Sequence, residues 1–131
     1  MSTRNFALIL GLVFIAIGAA GFVPALITPP DSGDMGGHGM LFGLFPVNTL
    51  HNAVHLLFGL WGLAASRSAG GATTYARGVA IVYAVLALFG LLPATQDGFG
   101  HVPLYGKDIW LHGALALVGG YFGWVNRSLP G

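Results

Sequence analysis

Two histidines at corresponding places in apolar segments are the residues of this chain best suited to chemistry. His55 and His112 each have a polar partner four residues earlier, His51 and Asp108. Residues at i and i+4 lie on one face of a helix, so the two members of each pair point the same way. Ionisable groups within apolar segments are costly to bury and usually mark a functional site.

Three kinds of ligand suit these side chains. The first is a metal ion held by His51, His55, Asp108 and His112, a ligand set that suits zinc, iron, copper or nickel. The second is a haem b held between His55 and His112 as axial ligands on facing helices. The third is a quinone head group that forms hydrogen bonds with the histidines and Asp108. The haem and quinone hypotheses describe a redox or electron-transfer component.

A structural role explains the same residues without any ligand. Asn48 is placed to cap the second helix, and the helix dipole favours Asp108 in the first turn of the fourth. His55 and His112 then hydrogen-bond each other, Asn52 or a carbonyl group, at about 0.6 kcal/mol per interhelical bond. Two functions stay open: a binding or structural membrane protein, such as an accessory subunit or a homo-oligomer, and a metal- or haem-binding redox protein.

The composition predicts an integral membrane protein. Of 131 residues, 7% are charged and 55% are hydrophobic, whereas soluble domains carry about 25% charge. A helix that crosses a lipid bilayer needs roughly 20 apolar residues. We predict an all-α fold with a single transmembrane domain over residues 1–131. Its four helices form a bundle and span about 6–27, 47–66, 75–93 and 108–126. The outer connections are 28–46, expected to be irregular, and 94–107. The first apolar run is longer than the core of a signal peptide, so we expect it to be retained.

The basic residues predict the orientation of this bundle. Arg4, Arg67, Arg77 and Arg127 lie at the termini and in the second connection, and the acidic residues lie in the first and third connections. Because basic residues concentrate on the cytoplasmic side, we expect both termini in the cytoplasm. The histidine-bearing helices then begin at the outer face of the membrane. The net charge of +1 gives no reason to expect nucleic-acid binding, and the absence of cysteine excludes thiolate metal sites.

The sequence also indicates a duplicated helical hairpin. A shift of 57 residues superposes His55 on His112. A shift of 69 superposes the Gly-Phe-Val-Pro-Ala segment that begins at Gly21 on the Gly-Leu-Leu-Pro-Ala segment that begins at Gly90. Both halves then cross the membrane in the same sense. We predict a pseudo-twofold axis along the membrane normal that brings the two histidine-bearing faces together.

A weaker hypothesis concerns copper in the first outer connection. Met35, His38 and Met40 lie close together in the sequence, and thioether and imidazole groups are soft ligands that suit copper. The many glycines around them favour a flexible connector instead.

A resemblance to a known family lies in residues 41–59, which read Leu-Phe-Gly-Leu-Phe-Pro-Val-Asn-Thr-Leu-His-Asn-Ala-Val-His-Leu-Leu-Phe-Gly. This segment resembles the FGLFPVNxLHNxVHLxFG signature of an uncharacterised bacterial family of small four-helix membrane proteins, a domain of unknown function. The similarity extends from Phe6 through the fourth helix, and it implies a bundle in the cytoplasmic membrane with no established activity. In that family the fourth helix often opens with Asp-Asn before Leu-His. Asp108 and His112 fit this pattern, whereas Ile109 replaces the asparagine.

Overall fold

The chain folds mainly into helices, as its sequence predicts. The structure is a computed structural model that describes residues 1–28, 38–98, 104 and 106–126. The helices are α1 (Thr3–Ala20), α2 (Thr49–Ala65), α3 (Ala69–Leu91) and α4 (Asp108–Gly120), and α4 continues into a π-helical turn, Tyr121–Val125. A 3-10 helix (Pro24–Leu26) follows α1, and the strands are β1 (Ile27–Thr28), β2 (His38–Leu41) and β3 (Phe45–Asn48). The copper hypothesis for the first connection involves Met35 and the side chain of His38, and both lie outside the described residues.

Two helix boundaries differ from those that the apolar runs predict. α1 ends at Ala20, seven residues before the predicted end, because Gly21 follows and Pro24 has no N–H with which to continue the helical hydrogen bonds. α3 begins at Ala69, six residues before the predicted start. Ser68 caps it, with its side-chain oxygen accepting a hydrogen bond from the Gly71 backbone N–H at 2.9 Å. Hydropathy alone misses such a polar first turn.

The connection between α1 and α2 contains a small antiparallel sheet where the sequence predicts irregular structure. β2 is the central strand and pairs with both β1 and β3, so that Leu41 lies opposite Phe45. Phe42 and Gly43 make the turn between β2 and β3 with positive φ angles of 54° and 69°. β3 leads directly into α2. The sheet therefore lies at the end of the bundle where α2 begins.

The helices pack as two hairpins, α1 against α2 and α3 against α4. Glycines permit the closest approaches. A Cβ atom added to Gly62 in α2 would lie 2.8 Å from the carbonyl oxygen of Ala7 in α1, and one added to Gly119 in α4 would lie 2.9 Å from that of Ala76 in α3. Small residues allow helices to approach in this way within lipid. Any larger side chain at these two glycines would push a hairpin apart.

Apolar side chains lie on the surface of the helices as well as in the core, and a few polar side chains are buried. Large apolar side chains are exposed along the helices, among them Leu12, Leu57, Leu60, Leu88 and Leu117. Among the described residues, the buried polar and charged side chains are those of His51, Asn52, His55, Asp108 and His112. Two helices, α1 and α3, are long and apolar enough to cross a membrane, with mean hydropathies of 1.8 and 1.7.

The arginines of the described chain lie at the end of the bundle away from the sheet. Arg4 near the start of α1 donates from Nε to the carbonyl oxygen of Ser66, just after α2, at 2.8 Å. Arg77 of α3 donates from Nε to the carbonyl oxygen of Gly123 in the π-helical turn, also at 2.8 Å. Because α2 and α4 end there, the histidines near their starts lie toward the opposite end.

Candidate metal centre

The start of α2 positions two imidazoles on one face. Asn48 caps the helix as the sequence predicts: its side-chain oxygen accepts a hydrogen bond from the His51 backbone N–H at 2.8 Å. His51 and His55 follow one turn apart. Their ring centroids are 4.3 Å apart and their ring planes are nearly perpendicular, at 89°. The cap therefore fixes the helical turn that carries the first imidazole.

The start of α4 supplies the other two ionisable side chains. Asp108 lies in the first turn, as predicted, where the helix dipole favours a carboxylate. His112 follows one turn later, and its ring centroid lies 6.2 Å from that of His51. His51, His55 and His112 are 6%, 4% and 1% exposed. The histidine-bearing faces of α2 and α4 thus meet inside the bundle.

The three histidines lie close enough together to be candidate ligands of one metal ion. One ring nitrogen from each of His51, His55 and His112 lies within 4.8 Å of the other two; we call these residues the histidine triad. Nitrogens bound to one tetrahedral zinc-sized ion at about 2.0–2.1 Å lie about 3.3 Å apart. Ring rotations that shorten the separations by about 1.5 Å or less would bring the triad to that geometry.

Asp108 lies beside the triad, next to one of its members. Its Oδ2 is 3.6 Å from His51 Nε2, which is beyond the range of a good hydrogen bond. The residue is fully buried, at 0% exposure. A carboxylate beside a metal-binding imidazole orients the ring and raises its basicity. The structure thus gathers all four predicted ligands and places Asp108 as the neighbour of His51.

Most polar atoms of this cluster have no hydrogen-bond partner among the described residues. They are both ring nitrogens of His51 and of His112, Nδ1 of His55, and both carboxylate oxygens of Asp108. A structural role predicts hydrogen bonds between His112 and its neighbours, and neither of its ring nitrogens makes one within the described part of the chain. An unsatisfied buried polar group costs about 1–3 kcal/mol. These groups are concentrated at the meeting point of α2 and α4.

The two asparagines predicted to support the site have separate contacts. Asn48 serves as the cap of α2. Asn52 is 3% exposed and packs against Gly21 at the end of α1, and its Oδ1 has no partner among the described residues. Asn52 therefore joins α2 to α1 at the edge of the site.

Tyr83 of α3 belongs to the site, although the sequence argument does not identify it. Its ring centroid lies 5.2 Å from that of His112 and 6.5 Å from that of His55, with the His55 ring almost parallel. The residue is 1% exposed, and its hydroxyl has no partner among the described residues. A tyrosine inside an apolar segment can indicate a polar site in the sequence, because a buried phenol O–H usually has a hydrogen-bond partner nearby.

A cavity of about 220 Å³ adjoins the triad. The three histidines and Tyr83 line one part of it. The other described lining residues are uncharged and largely apolar: Val54, Leu86, Phe89, Gly98 and Leu104. The cavity therefore combines a polar wall with an apolar remainder.

Comparisons with known proteins identify a family and no activity. No curated protein and no solved structure matches the chain. The sequence profile of one family, described as a domain of unknown function (DUF4383), matches residues 4–125. This match confirms the family resemblance expected from the sequence, and it covers almost the whole chain. The protein therefore belongs to the DUF4383 family.

Proposed function

We propose that this chain is a multi-pass membrane protein whose histidine triad binds one transition-metal ion inside the helical bundle. The observation that carries the proposal is the convergence of three buried imidazoles, supplied by both hairpins, with ring nitrogens that have no partner among the described residues. Imidazole nitrogens bind zinc, iron, copper and nickel. A bound ion satisfies the lone pairs that the surrounding side chains leave unused.

The charge of the surroundings supports a cation at this position. Asp108 is the one buried acidic residue of the described chain, and it lies beside His51. Neutral imidazoles leave the charge of a divalent ion uncompensated, and an isolated charge is costly in a low-dielectric interior. The carboxylate of Asp108 offsets part of that charge and holds the His51 ring in place.

The geometry favours a single metal ion over haem b. Axial ligation by His55 and His112 needs space for a porphyrin between the two rings. The ring centroid of His51 lies 4.3 Å from that of His55 and 6.2 Å from that of His112, so a third side chain occupies the adjoining space. The cavity of about 220 Å³ is also smaller than the roughly 300–1,000 Å³ that holds drug-sized ligands.

The surface of the bundle supports an orientation in the bilayer. The exposed apolar residues of the helices would contact lipid, and α2 would cross with 17 residues and α4 with its π-helical continuation. Arg4, Arg67 and Arg77 lie at one end and favour the cytoplasmic side. In this arrangement the histidine triad lies toward the outer face of the membrane, and both termini are cytoplasmic.

We also propose that the two hairpins are structural repeats related by a pseudo-twofold axis. The 57-residue shift equates Gly62 with Gly119, and the 69-residue shift equates Ala7 with Ala76. The two glycine-to-carbonyl contacts, Gly62 with Ala7 and Gly119 with Ala76, are nearly equal, at 2.8 Å and 2.9 Å to the added Cβ atom. Matching close contacts at matching positions support a common hairpin architecture.

The metal proposal is tested by elemental analysis of the protein purified in mild detergent. We expect about one metal ion per chain in the wild type and almost none in His55→Gln or His112→Gln. Glutamine preserves a polar side chain of similar size, so the variants retain a filled interior. Tyr75→Phe is the matched control, because it alters a buried aromatic side chain outside the triad; we expect it to keep its metal.

The outcome that would contradict the proposal is a folded wild-type protein that binds no metal. The test offers Zn²⁺, Cu²⁺, Ni²⁺ and Fe²⁺ in turn to the purified chain, followed by dialysis and elemental analysis. Gel filtration and circular dichroism show whether each variant has kept its fold. Metal retained in both folded glutamine variants would contradict the assignment to the triad.

A further inference from the structure

The cavity beside the histidine triad has the properties of a binding site for a small uncharged molecule. Its volume of about 220 Å³ equals the share of about seven water molecules in the liquid. Leu86, Phe89 and Leu104 give it an apolar wall, and no charged side chain lines it among the described residues. An organic molecule of matching size can pack against the apolar wall of this space and place a polar atom at its polar wall.

The polar wall of the cavity offers two kinds of contact to an oxygen atom. An ion held by three imidazoles keeps a fourth position for an exogenous ligand. Since His51, His55 and His112 all line the cavity, an ion held by them would lie beside it. Tyr83 lines the same space and has a buried hydroxyl without a partner among the described residues. An oxygen bound to the ion is thus offered a hydrogen-bond donor as well.

We infer that the cavity binds a small single-ring carbonyl compound of the quinone class, with one carbonyl oxygen on the metal ion and the Tyr83 hydroxyl donating to that oxygen. This inference rests on the proposed metal site. A carbonyl oxygen has two lone pairs, so it can bind the ion and accept the hydrogen bond together. The rings of Tyr83 and Phe89 provide aromatic surface for the ring of the ligand. Quinones dissolve in the bilayer and reach a bundle embedded there.

The experiment uses the full chain in detergent, loaded with Co²⁺, whose visible absorption bands report the ligands of the ion. Duroquinone, a tetramethyl-substituted single-ring quinone, is the probe. We expect a saturable shift of the Co²⁺ bands during the titration. Tyr83→Phe should weaken duroquinone binding about tenfold, the effect of losing one hydrogen bond. Leu86→Trp should abolish the shift by filling the cavity.

Tyr75→Phe is the matched control, because Tyr75 is equally buried but lies away from the cavity. Its hydroxyl donates to the carbonyl oxygen of Phe58 at 3.0 Å. We expect this variant to bind duroquinone with wild-type affinity. A tenfold loss in both tyrosine variants would contradict the role assigned to Tyr83.

The outcomes separate this inference from the metal proposal. If the wild type takes up neither Co²⁺ nor any of the four ions offered in the metal test, both fail. If Co²⁺ binds through the triad and duroquinone leaves its bands unchanged, the metal site stands and this inference is wrong. Binding of duroquinone that is measured by dialysis without a shift of the bands would also contradict it, because the carbonyl oxygen would then not reach the ion.

Discussion

His51 and Asp108 face each other across the interface between the two hairpins, with Nε2 and Oδ2 3.6 Å apart. The 57-residue shift that superposes His55 on His112 also superposes these two residues. Equivalent positions in the two halves therefore carry an imidazole and a carboxylate. In the proposed metal site, this chemical asymmetry would provide three neutral ligands and one compensating negative charge, which suit a divalent ion better than four imidazoles would.

Replacing Asp108 should weaken metal binding without removing the metal ligands. We expect Asp108→Asn to lower the affinity for Zn²⁺ or Co²⁺ about 10–100-fold, the usual effect of losing a carboxylate beside a metal-binding histidine. Competition with a chromophoric chelator measures the change. Asp97→Asn, a change at an exposed residue in a turn, is the control and should leave the affinity unchanged. Equal affinities for wild type and Asp108→Asn would show that the carboxylate does not act on the ion.

The contact between α3 and α4 should be sensitive to one methyl group at Gly119. A Cβ atom there lies 2.9 Å from the Ala76 carbonyl oxygen, whereas one at Gly120 has no neighbour within 4 Å. We expect Gly119→Ala to reduce the free energy of unfolding by about 1–3 kcal/mol through overpacking. Gly120→Ala should be neutral or slightly stabilising. Thermal unfolding in detergent, followed by circular dichroism, compares the two variants. A Gly119→Ala protein as stable as Gly120→Ala would contradict the close approach.

The cap of α2 should influence both stability and the metal site. We expect Asn48→Ala to lower the free energy of unfolding by about 0.5–2 kcal/mol. It should also weaken metal binding, because the cap holds the turn that carries His51. Ser68→Ala removes the cap of α3, far from the site, and should lower stability alone. Unfolding curves and metal titrations of both variants separate the effects, and equal loss of metal affinity in both would disprove the local coupling.

The proposed orientation can be tested with single cysteines, because the natural chain has none. Gly70→Cys places a thiol near the arginine-rich end, and Gln96→Cys places one in the turn after α3. In intact cells, a membrane-impermeant maleimide should label Gln96→Cys and spare Gly70→Cys. Both should react after the membrane is permeabilised. If only Gly70→Cys were labelled in intact cells, the orientation would be the reverse of the one proposed.

The sequence predicts the site better than it predicts the connections. The four-residue spacing of His51 and His55 is enough to place them on one face, and the repeat is enough to expect His112 opposite them. The role of Asn48 follows from its position before an apolar run. These features depend on local periodicity and on helix capping, and both are determined by residues a few positions apart in the sequence.

Other features depend on tertiary packing, and neither local periodicity nor helix capping predicts them. The sheet between α1 and α2 depends on the pairing of β2 with β1 and β3, which the hydropathy of the chain does not predict. Tyr83 joins the site only because α3 lies against α2 and α4, with its ring 5.2 Å from that of His112. The 69-residue shift equates Tyr83 with Phe14, and their rings are stacked 5.6 Å apart. That pairing could be recognised only once the hairpins were placed together.

The division of the triad between α2 and α4 has a thermodynamic consequence. No single hairpin carries all three imidazoles, so the affinity for the ion depends on how well the two hairpins are docked. By linkage, a bound ion would stabilise the state in which the two hairpins are packed together. The stabilisation free energy would grow with the logarithm of the free ion concentration. The metal would then act as a clamp between the halves of the molecule. Metal depletion should loosen the hairpin interface before it unfolds any helix.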